Sequence, residues 1–133
     1  MITPHPGELG RLLDESPKEI QARRLHVARR TAEEGGCCVL LKGADTLVAQ
    51  GNRVSVNSTG SAALATAGTG DVLSGITGAL LSRGVEPYDA ARTGAWAHGR
   101  ASELWLEETG WPPESMVATD LLSHLPPAFG EIY

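Results

Sequence analysis

Apolar residues recur three and four positions apart over two long stretches of the chain and run together in a shorter third, a pattern that predicts helices around a buried strand. From Gly70 to Arg83, the residues Val72, Leu73, Ile76, Ala79 and Leu80 keep helical spacing, and Gly84 stands where a glycine past the last turn ends a helix. Pro87 opens the next helix, which carries Ala91, Ala95, His98, Ala101 and Leu104/Trp105 on one face and ends near Gly110. A last short helix, from Thr119 to Leu125, is expected to be closed by Pro126-Pro127. Towards the N-terminus, Glu8 to Leu13 suits a short helix. Ser16-Pro17-Lys18-Glu19 is a capping box with proline at the first helical position, opening a helix that runs toward Glu34 and stops at Gly35-Gly36. Cys37 to Leu41 is a continuous apolar run bounded by glycines, as in a strand of a parallel sheet buried on both faces. Leu47-Val48-Ala49 and Val54-Ser55-Val56 flank Gln50-Gly51-Asn52-Arg53 and predict a β-hairpin. The expected class is α/β.

Composition narrows this picture without changing it. With 133 residues, 41% of them hydrophobic, the chain suits one globular domain. No run approaches the roughly 20 apolar residues of a bilayer span, and the first residues lack the basic and apolar regions of a secretory signal, so a cytoplasmic protein without a membrane partner is expected. Sixteen acidic against eleven basic residues, with Arg23, Arg24, Arg29 and Arg30 on a helix that reads as exposed, argue against nucleic acid as a partner. Cys37 and Cys38 are adjacent, lack the spacing of a metal knuckle or redox pair, and read as thiols packed in a strand; no metal site is expected from the protein's own side chains.

The segment from Asn57 to Gly75 holds the candidate chemistry. It is rich in small residues and leads into a helix, so backbone amides and the positive end of the helix dipole can meet an anion there. Gly75-Ile76-Thr77 lacks the lysine of a P-loop, and no buried strand precedes the glycines as the dinucleotide fingerprint requires. Asp71 directly follows Gly70 on the first turn. An isolated acid there is an ordinary first-turn carboxylate favoured by the dipole, but beside an anion cradle it also suits a base that takes a proton from a hydroxyl attacking phosphorus.

Gly68-Thr69-Gly70-Asp71 resembles the anion-hole motif of ribokinase-like enzymes, and the longer string from Ala65 to Gly75 is similar to the ADP- or ATP-dependent NAD(P)H-hydrate dehydratase family. Thr3-Pro4-His5-Pro6-Gly7-Glu8, Leu41 to Thr46, Ala97-His98-Gly99-Arg100-Ala101 and Ala118 to Leu122 match further blocks of that family in its order, so the resemblance covers essentially the whole chain. It implies a three-layer α/β/α ribokinase-like fold, present as the C-terminal half of a single domain over residues 1–133. It also implies removal of water from hydrated NADH or NADPH, driven by ADP or ATP with Mg2+, in a homo-oligomer. By the same resemblance Asp71 is the catalytic and substrate-binding acid, and His5 contacts substrate. Lys42, Gly43, Ala44, Asp45, Thr46 and Gly70 bind the adenine nucleotide, and Gly68, Thr69 and Gly70 form the anion hole.

Each of these residues also has a plainer reading. His5 between two prolines suits the shaping of a turn, Lys42 at a strand end suits a solvated charge, and His98 on an apolar helix face suits a hydrogen-bonded structural histidine. Trp96, Trp105 and Trp111 read as packing residues. Where the family shows Asn-Pro after Thr59-Gly60, this chain has Ser61-Ala62. The alternatives to the dehydratase are a ribokinase-like kinase of a vitamin precursor and a nucleotide-binding remnant without activity.

Overall fold

The first two helices start alike, at a proline with a glutamate two residues further on. In the computed structural model, which describes Met1–Tyr133, α1 (Pro6–Leu13) is capped by His5 and α2 (Pro17–Ala22) by Ser16. Nδ1 of His5 accepts from the amides of Gly7 and Glu8 at 3.0 and 3.1 Å, and the Glu8 carboxylate accepts from the His5 amide at 2.7 Å. Ser16 and Glu19 make the same exchange at 3.2 and 2.6 Å. The helix expected to run on toward Glu34 instead breaks at Arg23 (φ −138°, ψ 38°) and restarts as α3 (Arg24–Gly35). The break lets Arg23 and Arg30 hold the two oxygens of Glu15 at 3.0 and 2.9 Å. Gly36, in the left-handed region at φ 57°, ends α3 as its position predicts.

β1 (Val39–Leu41) is buried throughout, and both of its edges are hydrogen-bonded. On one edge Ile2–Pro4 runs parallel to it: Ile2 donates to Cys38, Leu40 to Ile2 and Lys42 to Pro4, each at 2.9 Å. On the other edge lies β2 (Thr46–Gln50), antiparallel, with Leu41 opposite Leu47 and Val39 opposite Ala49. The expected parallel environment therefore holds on one side only, because the 42–45 connection is too short for a parallel crossover. β3 (Arg53–Asn57) pairs antiparallel with β2 through a tight turn with Gly51 at φ 58°, giving the order β1-β2-β3. Leu9, Ile20, Val27, Val39, Leu41 and Leu47 form the core of this part.

The chain divides into two compact units, Met1–Asn57 with Pro87–Arg92, and Ser58–Glu86 with Thr93–Tyr133. The second is helical. It contains a 3-10 turn (Ala62–Ala65), α4 (Thr69–Ser82), most of α5 (Pro87–Thr109), a second 3-10 turn (Pro113–Ser115) and α6 (Asp120–Ile132). Gly84, at φ 83°, closes α4: its amide donates to Leu81 at 2.9 Å and that of Val85 to Leu80 at 3.1 Å. Ala63, Ala101, Trp105, Met116, Leu121 and Ala128 form the second core. Trp111, expected to pack, is instead 62% exposed and meets Trp105 edge-on at 6.3 Å.

α6 does not stop at Pro126-Pro127 but carries both inside it. Each proline removes one helical donor. Contacts made from outside hold the residues beyond them: Ala128 is fully buried, and Glu131 takes a forked bond from Arg100 at 2.8 to 3.1 Å. No helix is long and apolar enough to cross a membrane.

Gly99 of α5 lies against the backbone of Thr59, where an added Cβ would come within 2.6 Å of both the carbonyl carbon and oxygen. Gly99→Ala is expected to destabilise the protein by about 1–3 kcal/mol, whereas Gly130→Ala, at a helical site with open space, is expected to be neutral or mildly stabilising; paired urea melts measure both. The Glu8 carboxyl is held below the ordinary glutamate value of 4.5 by its bond from the His5 amide and by Lys42, with desolvation opposing. Its contribution is therefore full above that ordinary value and is lost as pH falls through the lower folded one. Glu8→Ala is expected to cost about 0.5–1 kcal/mol at neutral pH, and thermal melts should show the difference closing as pH falls below the ordinary glutamate value.

Candidate functional site

In the second unit the small-residue segment forms an anchored cradle at the start of α4. Gly68 caps the helix with φ 90° and ψ −12°, a conformation open to glycine, and a Cβ there would press on Ala118 at 3.2 Å. No side chain caps α4; the amides of Thr69 and Asp71 donate to the carbonyls of Thr66 and Gly68 at 3.4 and 3.1 Å, which leaves the Gly70 amide and the positive end of the dipole to an incoming group. Thr69 is buried, and its hydroxyl bonds the carbonyls of Leu64 and Thr66 at 2.7 and 2.9 Å rather than facing outward. Thr66 in turn donates to Met116 at 3.1 Å. Gly70 is half-buried, and Asp71 is exposed on the same first turn. Gly68, Thr69, Gly70 and Asp71 are thus brought together as one constellation.

Three further side chains hold this loop from α5. Nε2 of the buried His98 lies 2.9 Å from the Thr69 carbonyl, which fits the structural reading of that histidine. Glu103 accepts from the Gly60 amide at 2.8 Å, and Ser61 pairs with Ser102 at 3.1 Å. Ser61 also accepts from the Ala63 amide at 3.3 Å, so the serine found where the family pattern has Asn still serves as a cap. Beside Asp71 opens a largely apolar cleft of about 770 Å3 between α4 and α6, lined by Val72, Ile76, Leu80, Leu125 and Phe129.

In the first unit the Thr-Pro-His-Pro block and the Lys42 block meet. Parallel pairing puts Lys42 beside Pro4, and the Lys42 ammonium lies 3.6 Å from the carboxylate of Glu8, which in turn lies 3.6 Å from Nε2 of His5. Because Nδ1 of His5 accepts two amides, its proton is assigned to Nε2, the ring nitrogen 3.6 Å from the Glu8 carboxylate, on an exposed residue. Gly43, Ala44 and Asp45 form an exposed bend, closed by the Thr46 hydroxyl on the Gly43 carbonyl at 3.3 Å.

Glu8 and Arg24 contribute here without having been singled out from the sequence. Glu8 was legible in principle, since it stands three residues after a cap-position residue with proline between them. Arg24 carries no local signal. No cluster of three or more His, Cys, Asp or Glu side chains is placed to hold a metal ion.

The NAD(P)H-hydrate dehydratase family profile matches residues 1–127. The bifunctional NAD(P)H-hydrate repair enzyme of Escherichia coli K12 is 47% identical over 126 residues, 94% of this chain and 24% of that protein. The ADP-dependent (S)-NAD(P)H-hydrate dehydratase of Neisseria meningitidis serogroup B is 46% identical over 111 residues, 83% of this chain and 38% of that one. Among solved structures, the ADP/ATP-dependent NAD(P)H-hydrate dehydratase of Bacillus subtilis, co-crystallised with ATP and Mg2+, superposes with a TM-score of 0.91 at 32% identity, covering 98% of this chain and 47% of that one. The chain thus spans between about a quarter and a half of the length of these relatives. By the family profile and these identities, the chain belongs to the NAD(P)H-hydrate dehydratase family and has a ribokinase-like α/β fold.

Proposed function

We propose that this chain serves the nucleotide-dependent repair of hydrated NADH or NADPH, removing water by phosphorylation followed by elimination. The observation that carries this reading is the start of α4, uncapped behind a left-handed Gly68, with exposed Asp71 on its first turn. Asp71 takes the proton of the substrate hydroxyl as its oxygen attacks the terminal phosphorus of ADP or ATP. The bond from that phosphorus to the nucleotide breaks, and the anion hole at Gly68, Thr69 and Gly70 holds the charge on the transferring phosphoryl oxygens. The ring C–O bond then breaks with its electron pair leaving on phosphate, and loss of a proton from the adjacent carbon restores the double bond. Phosphate leaves more readily than hydroxide, which is what the nucleotide supplies to the reaction.

The bend from Gly43 to Thr46, with Lys42 beside it, receives the adenine nucleotide, and the exposed His5 contacts the substrate. Mg2+ fits as an ion carried by the nucleotide phosphates, since it needs few protein ligands and the chain offers no cage of its own. It supplies charge neutralisation there. The names of the relatives support the substrate class and the nucleotide.

The test is recovery of reduced-nicotinamide absorbance from hydrated NADH with Mg2+ and either ADP or ATP. Nucleotide-dependent recovery is expected. A phosphorylated product that persists without recovery would move the chain to the ribokinase-like kinases, and nucleotide binding without turnover would make it a binding module. Asp71→Asn is expected to lower turnover at least about 100-fold while leaving ADP affinity within about twofold; undiminished turnover would overturn the role given to Asp71.

A further inference from the structure

The charge pattern of the sequence puts Arg24 among solvated arginines, but it is half-buried at the first residue of α3 and turned onto the strand that follows. Its guanidinium donates through Nη2 to the Asp45 carbonyl at 2.7 Å and through Nη1 to the Lys42 carbonyl at 3.2 Å, with the Leu41 carbonyl at 3.5 Å. Nη1 also donates to the Gln21 side chain at 3.0 Å, across the break at Arg23. Both ends of the bend are therefore tied to one planar group. The group occupies the space beside Gly43 where a Cβ would stand, so a side chain at 43 would displace the guanidinium from its carbonyls. Burial lowers the pKa of this guanidinium and the Asp45 carboxylate opposes the effect.

We infer that Arg24 is the positioning residue of the 42–46 bend: its fork fixes the backbone that receives the adenine nucleotide, and the helix break at Arg23 and the glycine at 43 exist to admit it. This rests on the reading of that bend as the nucleotide site. A lysine in its place keeps the charge but lacks the planar fork that spans carbonyls at two ends of a bend. Arg24 acts through the loop and is not assigned a contact with the phosphates.

The experiment is a titration of the full chain with ADP and Mg2+, alongside amide exchange over residues 41–46, for the parent, Arg24→Lys, Arg24→Ala, Gly43→Ala and the Arg24→Ala/Gly43→Ala pair. Arg24→Lys guards against a variant that fails to fold. Arg24→Ala is expected to weaken ADP binding roughly tenfold and to speed exchange in the bend by a similar factor, with Arg24→Lys between it and the parent. Gly43→Ala alone is expected to weaken binding comparably, and adding it to Arg24→Ala should cost nothing further, because the collision it causes is gone. A parent that binds ADP and an Arg24→Ala that binds equally well would overturn the inference alone. A parent that fails to bind ADP would overturn the reading of the bend as a nucleotide site, and the purpose assigned to Arg24 with it.

Discussion

Complete burial of β1 leaves its backbone no water to bond, so both edges must be occupied by other segments of the chain. The first unit follows from this. β2 takes one edge; Ile2–Pro4 must take the other, and does so in the parallel sense. With Pro4 held beside Lys42, His5 falls at the head of α1, and the Glu8 that completes its cap is the carboxylate facing Lys42. Ile2–Pro4 are thereby tied into the sheet, and a histidine and a lysine far apart in sequence share one carboxylate.

The second unit depends on small residues where α5 meets its neighbours. Gly94 admits the methyl of Thr77, and Gly99 admits the backbone of Thr59. Close approach at these points brings His98 to the Thr69 carbonyl and Glu103 to the Gly60 amide, so the loop before α4 is fixed by polar groups of a rigid helix rather than by its own sequence. Arg100 joins Glu103 to Glu107 and Glu131, linking α5 to the end of α6. A loop poor in side chains can keep one shape because its carbonyls and amides are held from outside.

Features set by neighbouring residues were legible in the sequence: the Ser16–Glu19 box, the Gly51 turn, the left-handed glycines ending α3, α4 and α5, and the glycine-rich approach to Asp71. The family blocks added which residues belong together. What escaped was set by distant partners. The break at Arg23 answers to Glu15 and to the carbonyls of the 41–45 segment, and nothing near Arg23 announces it. The sense of pairing on each edge of β1 depends on which segments reach it. Pro126-Pro127 reads locally as an end, and the buried Ala128 and the Arg100 fork overrule it.

Those two prolines have a consequence for how α6 can move. A helix normally transmits order along its own ladder of hydrogen bonds, so that one turn steadies the next. Two adjacent missing donors interrupt that transmission, and the turns on either side become separate cooperative segments. The earlier one carries Leu121 and His124 into the core; the later one depends on Ala128 and on a single guanidinium. The later segment can therefore melt and re-form by itself, with the cleft beside Asp71, lined in part by Phe129, changing shape while the first turn of α4 keeps its own hydrogen bonds.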